Sequence, residues 1–298
     1  MNNRYLGLIA ALIATSIFGF NHTIAKELMP EFISPTALLY ARVLGAAILF
    51  WIISLFFPNE VIKKEDRVRL VLCAIFGMSI NMIASLLGLS LSTPINSAII
   101  TTTSPIIIFV ISIILIKEKI SNQKYFGVLI GFIGTLSLIL FNNKVAHNAP
   151  NIKLGNIILF ANSISYGLYF VLVKPLTEKY SMITLMKWLF LVSIIINAPI
   201  SLTEFSNVQW DKFIPSAIFN LTYVIICTTF LVYLLNLFAL KNLKATTVGI
   251  FMYFQPIIAI IYAVYKGSDS LSLLDIISVI LVFIGVYLVS RKTNKTII

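Results

Sequence analysis

Apolar residues run through this chain in long blocks separated by short polar stretches. Ten blocks can be drawn, at about 5–28, 35–57, 68–91, 95–116, 124–141, 155–173, 182–202, 215–240, 246–265 and 273–290. Each reaches or approaches the roughly 20 residues that an α-helix needs to cross the hydrocarbon core of a bilayer. The pattern predicts an all-α integral membrane protein with ten transmembrane helices. Arg4 before the first block fits the start of a cleaved signal peptide. The block runs on past Gly19 without a small-x-small cleavage site, however, and it has a counterpart later in the chain. It is expected to stay as a span.

The blocks repeat. Residues 97–121 read SAIITTTSPIIIFVISIILIKEKIS, and residues 248–272 read VGIFMYFQPIIAIIYAVYKGSDSLS. At a constant offset of 151, Pro105 aligns with Pro256, Ile106 and Ile107 with Ile257 and Ile258, and Glu118 with Asp269. Ile120 and Ser121 align with Leu271 and Ser272. At an offset of 148, Gly7, Gly19 and Lys26 match Gly155, Gly167 and Lys174. Ser34 opens the second block as Ser181 opens the seventh. Self-similarity at this scale predicts two copies of one unit. They are placed at 1–141 and 155–298, five helices each, joined by a polar linker at 142–154 that contains Pro150.

Composition agrees with a membrane setting. Apolar residues make up 59% and charged residues 11%, against roughly 45–50% and about 25% in soluble domains. Mean hydropathy is +0.99. In a soluble protein the net charge of +11 would point to nucleic acid. Here the basic residues lie between apolar blocks, so they read as topology and no nucleic-acid partner is expected. With the N-terminus in the cytoplasm, inside segments hold 15 of the 22 Lys and Arg, outside segments hold 5, and Arg42 and Lys187 lie within spans. That excess places both termini in the cytoplasm. Five spans is an odd number, so the second copy enters from the opposite face and the repeats are inverted. Cys73 and Cys227 each sit inside an apolar block and read as small core residues.

The pattern resembles the drug/metabolite transporter superfamily, and within it the EamA-type transporters, over nearly the whole chain. The resemblance rests on Phe18-Gly19-Phe20-Asn21 with Lys26 in the first span, on Pro35 with Arg42 in the second, and on Pro-x12-acid-x-aliphatic-Ser, present at Pro105/Glu118/Ile120/Ser121 and Pro256/Asp269/Leu271/Ser272. Phe18 stands where the family often has Trp, and Asp269 where it usually has Glu. The resemblance implies two inverted five-helix units and a secondary transporter, commonly an exporter of amino acids or related metabolites.

Polar residues inside spans are costly and ask for a reason. Thr101 to Ser104 precede Pro105, and Tyr253 and Gln255 precede Pro256. A proline interrupts the backbone ladder, and hydroxyls can satisfy the freed carbonyls. Thr102, Tyr253 and Gln255 are therefore candidate lining residues, with a purely structural kink as the alternative. Phe18 and Asn21 share a helix face and align with Tyr166 and Tyr169. Asn81 and Ser85 lie four apart, and Thr229, Tyr233 and Asn236 form one stripe. Such faces suit a central pathway; the alternative is hydrogen bonding that glues the bundle, worth about 0.6 kcal/mol per contact. Arg42 and Lys187 either snorkel to their interfaces or meet a substrate carboxylate. Glu118 and Asp269 read as turn-formers, and Ser272-x-x-Asp275 as a capping box.

The expected function is export or exchange of small amphipathic metabolites such as amino acids by alternating access in the bacterial inner or plasma membrane. A lipid or lipid-linked head-group translocase of the same fold is the alternative. No Asp or Glu lies at mid-span, so coupling is either absent, as in a facilitator or exchanger, or runs through His22. The chain is not expected to be an enzyme: it lacks a nucleophile with its base and a carboxylate pair. No cofactor or metal is expected. A monomer or a homodimer fits equally, with the short fifth and tenth spans as a possible dimer face.

Overall fold

The computed structural model of the chain describes residues 3–58, 60–116, 122–141, 148–242 and 254–290. Among these there is no strand. The helices are α1 (Asn3–Leu28), α2 (Pro35–Ser54), α3 (Lys64–Leu91) and α4 (Pro94–Thr101, then Ser104–Ile116), followed by α5 (Asn122–Phe141), α6 (Ile152–Lys179) and α7 (Met182–Ser206). Next come α8 (Pro215–Thr222, Tyr223–Leu231 and Val232–Asn242 in one run), α9 (Phe254–Tyr265) and α10 (Leu273–Ser290). Eight of these, α1 to α8, are long and apolar enough to cross a membrane. α9 and α10 are shorter apolar helices at the positions expected for the ninth and tenth spans. Residues 246–253, expected to start the ninth, lie outside the described residues, as do Glu118 and Ser121.

Local chemistry sets the helix starts. Ser34 Oγ accepts from Ala37 N (3.2 Å), Thr93 Oγ1 from Asn96 N (3.3 Å) and Ser181 Oγ from Thr184 N (3.4 Å), with Pro35 and Pro94 in the first helical position where a missing N–H costs nothing. The expected capping box at α10 is present: Ser272 N donates to Asp275 Oδ2 (2.8 Å) and Asp275 N to Ser272 Oγ (3.2 Å). α4 breaks at Thr102 and Thr103, just ahead of Pro105. The hydroxyls of Thr101, Thr102, Thr103 and Ser104 donate to Ser97 O, Ala98 O, Ile100 O and Thr101 O at 2.6–2.8 Å. They satisfy the carbonyls at the break, as a bilayer requires.

Two π-helical stretches interrupt α3 and α8, at Ala74–Ile80 and Tyr223–Leu231. Side chains serve the carbonyls within them. Ser165 Oγ on α6 donates to Phe76 O (2.7 Å), and Thr228 and Thr229 donate to Val224 O (2.6 and 2.8 Å). Such insertions are frequent at functional sites.

Helix pairs recur between the halves of the chain. α3 lies along α6 as α1 lies along α8; α4 meets α6 as α1 meets α9; α2 packs on α7 and α5 on α10. Glycine makes the close approaches possible. A Cβ on Gly19 of α1 would stand 2.8 Å from Ile258 of α9, and one on Gly167 of α6 would stand 3.0 Å from Ile107 of α4. One on Gly285 would stand 2.6 Å from the Gly131 backbone nitrogen. α5 and α10 thus meet each other inside the chain. Their outer faces, with Phe126, Ile133 and Leu140 on one and Ile276, Ile280 and Tyr287 on the other, are exposed and apolar. An apolar exterior of this extent suits lipid.

Candidate functional site: a polar seam between the halves

Three groups of polar side chains meet between helices of the two halves. The first surrounds Arg42 on α2. This residue is buried, and its Nε donates to Thr229 Oγ1 on the π stretch of α8 at 3.0 Å. Its terminal nitrogens make no hydrogen bond, and no carboxylate pairs with it, among the described residues. Tyr233, one turn further along α8, interacts electrostatically with the guanidinium, and Tyr166 and Tyr169 on α6 interact with Tyr233. The rings of Tyr166 and Tyr169 lie 6.1 Å apart, and Tyr233 meets Phe190 edge-on at 5.6 Å. Tyr169 fits because Gly77 of the α3 π stretch lies against its ring, where a Cβ would stand 2.3 Å away. A buried guanidinium with open donors and a phenol nearby has the chemistry to pair with a planar anion such as a carboxylate.

The second group bridges α1, α4 and α9. His22 is buried; its Nδ1 lies 3.0 Å from Ser97 Oγ and its Nε2 lies 3.0 Å from Gln255 Nε2. With the Gln255 amide nitrogen as donor, Nε2 accepts, and the ring proton on Nδ1 is donated to Ser97. The neighbouring Asn21 is buried and its Oδ1 has no hydrogen-bond partner among the described residues.

The third joins α3, α6 and α7. Asn81 and Asn162 exchange side chain to backbone bonds, Asn162 Nδ2 to Asn81 O at 2.7 Å and Asn81 Nδ2 to Asn162 O at 3.4 Å. Asn197 Nδ2 donates to Ser79 Oγ and to Ser193 Oγ, each at 2.9 Å. These bonds are mutual and closed, so this group acts as glue.

The expected site residues therefore divide. Arg42, Tyr166, Tyr169 and Tyr233 come together, and His22 and Gln255 bond directly. Asn21 adds an open acceptor on α1, where Phe18 is half-buried on the same face. Thr102 serves the helix break. Asn81 is engaged in glue. Ser85 and Asn236 are half-buried and form no hydrogen bond among the described residues. Tyr253 lies outside the described residues. Lys187 belongs elsewhere: its Nζ sits 5.2 Å above the Trp51 ring and it interacts with Glu60, at the end of the molecule where α2 stops.

Lys26 needs a correction. Charge counting assigned it to an outside segment, but it is buried in α1. Its ammonium donates to Leu89 O (2.8 Å), Ser90 O (2.7 Å) and Ser92 O (2.9 Å), the terminal carbonyls of α3. Asp269 also does more than form its turn, since Oδ2 accepts from Ile95 N at the start of α4 (3.2 Å). The Lys26–Lys174 match in the sequence was the available signal. Ser97, Asn162 and Ser165 carried none, because isolated Ser and Asn in a span do not reveal their partners.

The fold and the seam define a multi-pass helical membrane protein with a buried cation between its halves. A model of the EamA-like transporter family matches residues 5–140 and again 153–291, and the chain belongs to that family. It is 24% identical over 98% of its length to the uncharacterized transporter YetK of Bacillus subtilis, covering 88% of that protein. It is 26% identical over 99% of its length to an uncharacterized transporter of Archaeoglobus fulgidus, covering all of it. A crystal structure with 16% sequence identity shares the fold, with a TM-score of 0.63 over 96% of both chains.

Proposed function

We propose that the chain is a secondary transporter of the cell membrane that exports or exchanges small carboxylate-bearing metabolites such as amino acids. Arg42 carries the reading. A buried arginine with no counter-ion among the described residues calls for negative charge from elsewhere, at least transiently. Tyr233, which interacts with the guanidinium, and Tyr166 and Tyr169, which interact with Tyr233, offer hydroxyl donors and aromatic faces for the rest of a small amphipathic molecule.

The reciprocal helix pairs support reading the chain as two inverted five-helix repeats, 1–141 and 155–298, with both termini cytoplasmic. Alternating access then follows from exchange of conformations between the halves around a midplane site. His22 spends both ring nitrogens on protein partners in its neutral form, which favours a facilitator or exchanger over proton coupling. In His22→Gln the pH profile of flux should therefore keep its shape.

The test of the site is Arg42→Gln in reconstituted vesicles, assayed with matched acids and amides. Loss of a charge-assisted bidentate contact should cut transport of acids about 10- to 100-fold and leave amides nearly unchanged. Equal loss for both would reject the carboxylate role. A panel including labelled lipids separates this reading from a head-group translocase.

A further inference from the structure

Three acids stand at the corner where α2 ends and α3 begins, and all three turn towards the second half of the chain. Glu60 accepts from Ser181 N. Asp66 is buried and accepts two bonds from Lys179 Nζ (2.9 and 3.0 Å) and one from the Tyr180 hydroxyl (2.8 Å). Glu65 lies 3.8 Å from the same ammonium. The corner also carries four cations, Lys63, Lys64, Arg67 and Arg69, and all four are exposed. None of them forms a salt bridge among the described residues. Arg69 is attracted to Asp66, but that carboxylate is already paired with Lys179. The acids thus serve the contact between helices, and the bases are left outside without a counter-charge.

The helical period arranges this outer face. Lys64, Arg67, Val68, Val71 and Leu72 are spaced i, i+3, i+4, i+7 and i+8, so they form one strip along α3. All five are exposed, Val68 to 71%. The opposite strip, Asp66, Leu70, Cys73 and Gly77, is buried. There α3 packs on α6 and α7, and Gly77 lies against the Tyr169 ring of the seam. The exposed strip therefore faces away from the seam, towards lipid. Its first two positions are cationic and the other three apolar, over about 12 Å at 1.5 Å per residue. Beside it, at the end of α2, Leu55 and Phe56 are exposed as well. Basic side chains next to apolar ones suit the level of the lipid head groups.

We propose that this strip is a binding site for an acidic phospholipid, with its phosphate between Lys64 and Arg67 and one acyl chain along Val68, Val71 and Leu72. Arginine offers a planar fork of donors to phosphate oxygens, and lysine a point charge. Lys63 and Arg69 add to the field. Charge decides the class of lipid. A zwitterionic head group brings its own cation to a corner that already holds four unpaired ones. An acidic head group brings the missing negative charge, as clusters of four or more basic residues beside a span require. The lipid is resident and is not cargo, because α3 stands between it and the seam. The proposal uses neither the identity of the substrate nor the mechanism of transport.

The experiment places the full chain in phosphatidylcholine vesicles, with Trp51→Phe, Trp188→Phe and Trp210→Phe, and Leu72→Trp as reporter. Brominated phosphatidylglycerol or brominated phosphatidylcholine is titrated in, and quenching of the indole reads which lipid lies on the strip. Phosphatidylglycerol should be favoured about 10-fold or more. Lys64→Gln/Arg67→Gln should remove most of that preference, since each basic side chain near an anionic head group is worth about fivefold. A second reporter, Ile133→Trp on the exposed face of α5, should show no preference. Equal preference at both reporters would mean diffuse attraction to a basic protein and would overturn the site. So would parity of the two lipids at Leu72→Trp, or a preference that survives Lys64→Gln/Arg67→Gln. If the Trp-exchanged chain fails to fold, native mass spectrometry decides. The unchanged chain should then retain phosphatidylglycerol on release from detergent and Lys64→Gln/Arg67→Gln should lose it; equal retention would overturn the proposal.

Discussion

The two ends of this molecule use the same parts to different degrees. At the rim both are clamped alike. Glu204, at the end of α7, accepts from Ser34 and Thr36 at the start of α2. Glu60, beyond the end of α2, accepts from Ser181 N at the start of α7 (2.7 Å). In each case an acid at or beyond the end of one half's second helix binds the cap of the other half's second helix. At the second end Asp66 adds a bidentate bond from Lys179 (2.9 and 3.0 Å) and one from Tyr180 (2.8 Å). Nearer the axis the ends differ: Lys26 is docked and Lys174 is exposed. The rim clamps are common to both ends, whereas the central lysines differ in burial.

Matched substitutions in the two halves can break or sharpen that comparison. The largest effects are expected at the glycine contacts. Gly19→Leu and Gly167→Leu would each force a side chain into Ile258 or Ile107, and overpacking of this kind costs about 1–3 kcal/mol or more. The two should destabilise equally in thermal unfolding in detergent, and Ile258→Ala or Ile107→Ala should each rescue only its own partner. A large inequality would mean that the halves are not packed as counterparts. Next come the π stretches. Ser165→Ala strands Phe76 O and should cost about 1 kcal/mol; Thr229→Val strands Arg42 Nε and should cost about 1–3 kcal/mol, since one member is charged. The Thr229 change should also weaken acid transport, and the Ser165 change should not.

The smallest effects are expected at the rim. The Ser181 N–H donated to Glu60 holds that carboxyl below its usual range. A depressed folded value means that the contribution is complete above the unfolded value, near 4.3, and disappears as pH falls through the folded value. Acidification below about pH 4 should therefore loosen this clamp. Glu60→Gln should lower the thermal midpoint by only about 1–3 °C, as exposed interactions do, and remove that part of the acid sensitivity. Glu204→Gln should cost a similar amount at the other end. A loss of several times that size would show that the rim does more than clamp the helix starts.

Much of the architecture could be read from residue order. Block length against bilayer thickness marked ten helices, of which eight stand at full span length among the described residues and two as shorter apolar helices. Ser34 and Ser181 marked the starts of α2 and α7, the Ser272–Asp275 pair marked that of α10, and Pro105 marked the break in α4. The α3 and α8 π stretches left no such mark. A π turn differs from an α turn only in which carbonyl an N–H selects, and packing against another helix decides that choice. For the site, the sequence proposed Arg42 and the tyrosines because an unneeded charge or phenol in lipid is expensive. It could not tell them from Lys187, which carries the same charge in a similar span.

What separated those two residues was neighbourhood. Lys187 found Trp51 and Glu60, while Arg42 found a hydroxyl and a phenol but no acid among the described residues. Lys26 shows the same division. Its type, depth and repeat partner are all written in the chain, yet whether it meets water or three buried carbonyls depends on where α3 ends in space. Burial, and therefore the meaning of a charge, is a property of approach between segments far apart in sequence. Hydrophobic period and cap chemistry are properties of segments alone, which is why they can be read without the fold.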